Sequence, residues 1–206
     1  FDALITYSQT GAAEYAQLGY PEAQIFIAVN AVTPPPPHPI PQRPPADAER
    51  TLTLLFVGRL QERKRVDALI TACAKLPPAH QPNLVIVGDG PARAATQSLA
   101  AAQYPSARFT GALYGEALAD QFRAADLFIL PGTGGLAIQQ AMSYGLPVIA
   151  AEADGTQTDL VRPENGWQIP PEDLPALQSA LDEALSDVPR LRRMGANSYR
   201  IVAEEI

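Results

Sequence analysis

Gly132-Thr-Gly-Gly-Leu-Ala-Ile-Gln-Gln-Ala-Met-Ser-Tyr-Gly-Leu-Pro-Val-Ile149 places a glycine-rich turn ahead of a helix-length segment and a second tight turn that leads into an apolar run. The segment before it, Ala125-Asp-Leu-Phe-Ile-Leu-Pro131, is apolar and of strand length, so the turn falls at a strand's carboxyl end. The spacing then predicts a helix from Leu136 to Tyr144 and a strand from Pro147 to Ala150. Gly134 and Gly135 remove side chains where the backbone would approach a ligand. The first amides of the following helix point outward with the positive end of its dipole, which suits a phosphate.

The same alternation extends through most of the chain. Strands are expected at Leu52 to Val57, Leu84 to Val87, Arg108 to Thr110, Asp126 to Leu130 and Trp167 to Ile169. Helices are expected at Lys64 to Leu76, Pro91 to Gln103, Glu116 to Ala124, Thr158 to Val161 and Glu172 to Leu185. Apolar strands separated by helices define an α/β fold, a Rossmann-like doubly wound parallel sheet of about six strands flanked by helices. Ahead of it, Ala3 to Thr6, Gln9 to Leu18 and Ile25 to Val29 read as strand, helix and strand, with Ser8 as N-cap. That unit is too small to hold a core alone. Between the two parts, Thr33 to Pro45 carries eight prolines, which favours an extended stiff connection, an SH3-type ligand being the alternative. The expected division is residues 1–32, a linker at 33–50, a domain at 51–187 that holds the alternating strands and helices, and a last helix at 188–206. The chain opens inside a strand without an initiator methionine, so it is expected to be part of something longer.

Composition narrows the function classes. The chain has 206 residues, 47% of them hydrophobic, and a formal net charge of −7, which argues against nucleic-acid binding but leaves room for a local basic pocket. The single cysteine, Cys73, excludes a disulfide within the chain and reads as core packing rather than a reactive thiol. His38 and His80 alone give little material for a metal site or a histidine-based triad. No run of about 18 apolar residues occurs, so no transmembrane segment is expected and the location reads as cytoplasmic.

In a parallel sheet three turns converge: Gly58-Arg59-Leu60, Gly88-Asp89-Gly90-Pro91, and Pro131 to Gly135. Arg59 and Lys64 flank the first and could neutralise a diphosphate; the alternative is a solvated charge run with Arg63 and Arg65. The Gly88 turn is by itself an ordinary strand-to-helix connection. Neither a Gly-x-Gly-x-x-Gly fingerprint nor a P-loop is present, which disfavours nicotinamide enzymes and NTPases and leaves a nucleoside diphosphate as the better match.

Taken in order, several segments carry a resemblance: Leu54-Leu-Phe-Val-Gly-Arg-Leu-Gln-Glu-Arg-Lys-Arg-Val66, Val85-Ile-Val-Gly-Asp-Gly-Pro91, Arg108-Phe-Thr-Gly111, Ala124-Ala-Asp-Leu-Phe-Ile-Leu-Pro131, Gln140-Ala-Met-Ser-Tyr-Gly-Leu-Pro-Val-Ile149 and Glu164-Asn-Gly-Trp167. Over residues 52 to 186 the chain resembles the C-terminal, donor-binding lobe of two-lobed GT-B glycosyltransferases of the retaining "glycosyl transferases group 1" family. Residues 1–32 resemble the end of that family's N-terminal lobe, with Val29-Asn-Ala-Val32 like the segment before its interdomain link; by the same resemblance 51–187 is the nucleotide-sugar-binding domain and the helix at 188–206 packs back toward the N-terminal lobe. The resemblance implies metal-independent transfer from a nucleoside diphosphate-sugar donor, with no other cofactor. The acceptor, a carbohydrate or a lipid-linked one, would be held by an N-terminal lobe that could bring the enzyme to a membrane surface.

By the same resemblance, Arg59 and Lys64 hold the donor diphosphate and stabilise the leaving group. Gly134, Gly135 and Leu136 meet the distal phosphate and sugar, Gly58 and Gly88 border the nucleotide, and Gly111 with Thr110 and Ala112 receives the base. The family's long motif has two glutamates separated by seven residues; here Gly132 and Gln140 occupy those positions. Gln140 can still hydrogen-bond a ribose, whereas Gly132 offers no side chain. Three readings therefore stand: a transferase gripping a differently shaped sugar, a non-catalytic nucleotide-binding module, and, further off, a nucleotide-sugar 2-epimerase. Asp159 reads as capping its own helix, and Trp167 as a core aromatic or a stacking platform.

Overall fold

The computed structural model describes residues 2–28, 36–44, 50–153 and 155–206. Val29 to Val32, part of the proline-rich connection and the boundary expected near residue 50 fall wholly or partly outside them.

Two sheets are present. The small one pairs β1 (Leu4–Thr6) with β2 (Ile25–Ile27) in parallel, joined by α1 (Gln9–Gln17). Ser8 caps α1 by accepting the Gly11 N–H at 3.1 Å. The large sheet holds β3 (Thr53–Val57), β4 (Asn83–Val87), β5 (Arg108–Gly111), β6 (Leu127–Leu130), β7 (Val148–Ala151) and β8 (Gly166–Ile169). All its pairings are parallel and its order is β5-β4-β3-β6-β7-β8. The chain thus winds outward from β3 to one edge, returns to the other side of β3, and winds outward again. This reversal between β3 and β6 makes a crevice at their carboxyl ends, the place where open α/β sheets take ligands.

Both faces of the sheet are covered. On one side α2 (Val66–Lys75) packs with α3 (Arg93–Gln103) and α7 (Leu174–Ser186); α4 (Gly115–Ala124) contacts β3, and α5 (Leu136–Ser143) packs with α6 (Thr156–Leu160) and α8 (Val188–Glu204). Every residue of β6 and β7 is buried, as continuous apolar runs in a doubly covered parallel sheet require.

The expected elements are all found, with shifts at their ends. The helix expected from Lys64 begins at Val66, because Glu62–Lys64 is a separate 3-10 turn and Arg65 takes a left-handed conformation with φ of 53°. That break keeps Lys64 out of the helix, with its ammonium turned to the Thr133 carbonyl. The expected helix from Pro91 likewise starts at Arg93.

The described part of the proline-rich connection is laid on the large domain instead of spanning open space. Arg43 donates from Nε to the Ala125 carbonyl at 2.8 Å and from Nη2 to the Tyr144 carbonyl at 2.9 Å. Burial, reinforced by Arg192, lowers the Arg43 pKa to about 10, with Asp126 opposing and Arg50 adding to the fall. The His38 ring lies 4.1 Å from the Tyr144 ring, and Tyr199 of α8 donates to the His38 carbonyl at 2.9 Å. Among the described residues α8 packs chiefly on α5 and α7 rather than on the small unit.

Candidate functional site

The loops at the carboxyl ends of β3, β4, β5 and β6 are joined to one another through their backbones. Gly58 donates to Val87 at 3.0 Å, Gly88 to Gly111 at 2.8 Å, and Leu60 to Asp89 at 2.9 Å. A Cβ on Gly88 would stand 2.9 Å from the Gly58 carbonyl carbon and closer still to its oxygen. Gly88 is therefore required by contact between two loops, which accounts for it without a ligand.

At the switch point the β3 loop meets the glycine turn. The Lys64 ammonium donates to the Thr133 carbonyl, the Thr133 N–H donates to the Arg63 carbonyl at 3.1 Å, and Arg63 Nη1 donates to Thr133 Oγ1 at 3.2 Å. Gly134 lies directly under this lysine: a Cβ there would meet Lys64 Nζ at 2.5 Å. From the opposite side, Gln157 of α6, fully buried, donates through Nε2 to the Gly134 carbonyl. Both grips hold carbonyls, so the N–H groups of Gly135 and Leu136 at the start of α5 have no acceptor among the described residues. They are available to an anion at the positive end of that helix.

A cavity of about 610 Å³ adjoins this cluster and is lined by Gly58, Arg59, Gly88, Asp89, Leu113 and Tyr114, among others. Arg59 is exposed and makes no hydrogen bond or ion pair among the described residues. The Asp89 carboxyl is held below its ordinary range by the Gly90 N–H at 2.7 Å, with the Arg93 guanidinium adding to the effect. The anticipated residues thus fall into two adjoining groups: Gly58, Arg59 and Gly88 line the cavity, whereas Lys64, Gly134 and Gly135 form the switch-point cluster. Gly111 ends β5 beside the cavity, Leu136 is exposed at the head of α5, and Gln140 lies half-buried one turn further along.

The absent carboxylate at Gly132 has a structural cause. A Cβ on Gly132 would stand 2.7 Å from the Lys64 carbonyl carbon and closer still to the Arg63 carbonyl oxygen. With the Glu62–Lys64 turn seated here, only glycine fits.

Asp159 departs from the sequence expectation, whereas Trp167 follows the packing alternative. Asp159 Oδ2 accepts the Gln9 N–H at 2.9 Å, so it caps α1 of the small unit across the boundary instead of serving only its own helix. Trp167 lies on the edge strand β8, away from the cavity, with the Arg190 guanidinium carbon 5.2 Å from its ring centroid; this arrangement fits packing, not ligand stacking. Gln157 and Tyr114 were not anticipated, because neither belongs to a glycine or charge motif.

Comparison with known proteins agrees with this geometry. The sequence profile of the family described as Glycosyl transferases group 1 matches residues 41–201. A GDP-mannose-dependent alpha-mannosyltransferase of Mycobacterium tuberculosis is 43% identical over 111 residues, covering 52% of this chain and 27% of that protein. Its counterpart by name in Mycolicibacterium smegmatis is 38% identical over 152 residues, covering 71% of this chain and 37% of that protein. The chain therefore spans only about a quarter to two fifths of these relatives. Among solved structures, the apo form of the lipopolysaccharide outer core galactosyltransferase WaaB superposes with a TM-score of 0.82 at 19% identity, covering 99% of this chain and 58% of that one. That likeness is one of fold. No helix among the described residues is long and apolar enough to cross a membrane.

Proposed function

We propose that this chain, which belongs to the Glycosyl transferases group 1 family, is the donor-binding half of an enzyme that moves a sugar from a nucleoside diphosphate-sugar to a hydroxyl acceptor. The observation that carries the reading is the Lys64 ammonium, fixed on the Thr133 carbonyl beside the free amides of α5 at the sheet's switch point. In the reaction the bond from the anomeric carbon to the diphosphate oxygen breaks, the acceptor oxygen bonds to that carbon, and the acceptor loses its hydroxyl proton. Negative charge collects on the departing diphosphate. Lys64, Arg59 and the amides of Gly135 and Leu136 are the groups of this chain suited to stabilise it. Two fixed cations serve the purpose a divalent ion serves elsewhere, so transfer is proposed to be metal-independent, and the family resemblance favours retention of configuration.

The relatives' names direct the choice of donor: GDP-mannose is the first candidate. The acceptor, a carbohydrate or a lipid-linked one, is proposed to be held by a further lobe. Titration calorimetry with GDP, UDP and ADP at millimolar concentration should detect binding to this chain, and the double substitution Arg59→Ala with Lys64→Ala should abolish it. Absence of any binding would overturn the reading.

A second reading is favoured by Gly132, where a sugar-binding carboxylate cannot be accommodated in this conformation. It is a nucleotide-binding module that does not transfer. A screen of donors with product detection, using the chain joined to its acceptor lobe, separates the two: product from any donor eliminates the module.

A further inference from the structure

We propose that Tyr114 is the residue that closes the nucleotide cavity, its ring stacking on the base of the bound nucleoside diphosphate. This rests on the nucleotide reading of the same site and extends it to a side chain that no motif identifies.

Tyr114 is 81% exposed, more than any other large apolar side chain described. No ordinary role explains it. It occupies the N-cap position of α4 but makes no side-chain capping bond. Yet it lines the 610 Å³ cavity, together with the apolar side chains Val57, Val87, Leu113 and Leu118. Arg59 lines the same cavity. The lining therefore joins apolar side chains and one aromatic ring to a permanent cation, Arg59, with the Asp89 carboxylate beside the backbone of Gly88 and Gly90.

A nucleoside diphosphate has the matching division, a planar π-system joined through ribose to two phosphates. With the phosphates drawn to Arg59 and Lys64, the base is left to the apolar side chains, and among the described residues Tyr114 is the only aromatic ring that lines the cavity. The backbone on either side of Tyr114 is open: a Cβ placed on Gly111 or on Gly115 would meet nothing within 4 Å. Stacking of a base on an aromatic ring does not read hydrogen-bond pattern, because every base has a π-face. Tyr114 therefore sets how tightly the nucleotide binds and leaves base identity to other groups. The larger purine surface gains more from it than a pyrimidine does.

Dissociation constants of the whole chain for GDP, UDP and inorganic pyrophosphate test the assignment. Tyr114→Ala should weaken GDP by about tenfold to a hundredfold and UDP by less, while pyrophosphate is unchanged. Tyr114→Phe, which keeps the ring, should bind all three as the unsubstituted chain does. Unchanged GDP binding in Tyr114→Ala overturns the proposal, and so does an equal loss for pyrophosphate, which would mark a structural role. If the unsubstituted chain binds pyrophosphate but neither GDP nor UDP, the nucleotide reading fails and this assignment falls with it.

Discussion

The Arg63 carbonyl covers Gly132: its oxygen takes the N–H of the next residue, Thr133, at 3.1 Å and occupies the place where a side chain on Gly132 would begin. The loop that delivers Lys64 and the lack of a carboxylate at position 132 are thus one arrangement seen from two sides.

Gly132→Ala should accordingly cost about 1–3 kcal/mol, the usual penalty for forcing atoms into a filled site. Urea denaturation measures this loss. Nucleotide affinity should fall with it, because the Glu62–Lys64 turn must move to admit the methyl group. By contrast, Gln140→Glu lies half-buried on α5 and should change stability by less than about 0.5 kcal/mol. An alanine variant as stable as the parent would show that the loop does not press on Gly132.

Asp126 supplies a pH-dependent test. It is fully buried at the start of β6 and accepts hydrogen bonds from Arg50, from the Thr53 N–H at 2.9 Å and from Arg192 of α8 at 2.9 Å. Burial alone would raise its pKa, but the Arg50, Thr53 and Arg192 hydrogen bonds outweigh it and hold the carboxyl below the ordinary carboxylate value. A depressed folded value means the stabilisation is complete above the unfolded carboxylate pKa, about 3.9, and is lost as pH falls through the lower folded value. Asp126→Asn should cost about 3 kcal/mol at neutral pH and flatten the acid limb of a plot of Tm against pH. An unaltered limb would remove Asp126 from the account.

Gln157 tests the grip on the glycine turn. Gln157→Leu keeps the bulk but removes the donor to the Gly134 carbonyl, a half-buried acceptor, at a cost of about 1 kcal/mol. Amide exchange at Gly134 to Leu136, followed by NMR or mass spectrometry, should quicken in this variant while that of β7 is unchanged. Equal quickening everywhere would point to general loosening.

Cys73 should be inert. It is buried in α2, and burial pushes its thiol up to about 12, so at pH 8 almost no thiolate forms in the folded chain. Iodoacetamide should label it only after denaturation. Rapid labelling of the native chain would contradict the packed position.

What could be read from sequence follows from how local each feature is. The run from Ala125 to Ile149 announced strand, turn, helix and strand because apolar runs and glycines act within a few residues. The left-handed Arg65 was illegible, since arginine has no preference for that conformation and only the tertiary seating of Lys64 accounts for it. Asp159 was recognised as an acid near a helix start, but the helix it caps lies 150 positions away in sequence. Gln157 and Tyr114 act through surroundings that several other elements provide, and a lone glutamine or tyrosine carries no pattern of its own. Charge alone left Arg59 and Lys64 open between a diphosphate pair and a solvated run, and only the family resemblance singled them out; their allocation to two adjoining groups was not legible at all.

The Asp126 junction also has a mechanical meaning. Arg50 follows the proline-rich connection and Arg192 belongs to the last helix, so two distant stretches of chain are pinned to a single carboxylate, with Thr53 at the head of β3 beside them. Asp126 stands at the amino end of β6 and the glycine turn at its carboxyl end, so the anchorage of the connection and the last helix is kept apart from the candidate site by the whole length of one buried strand.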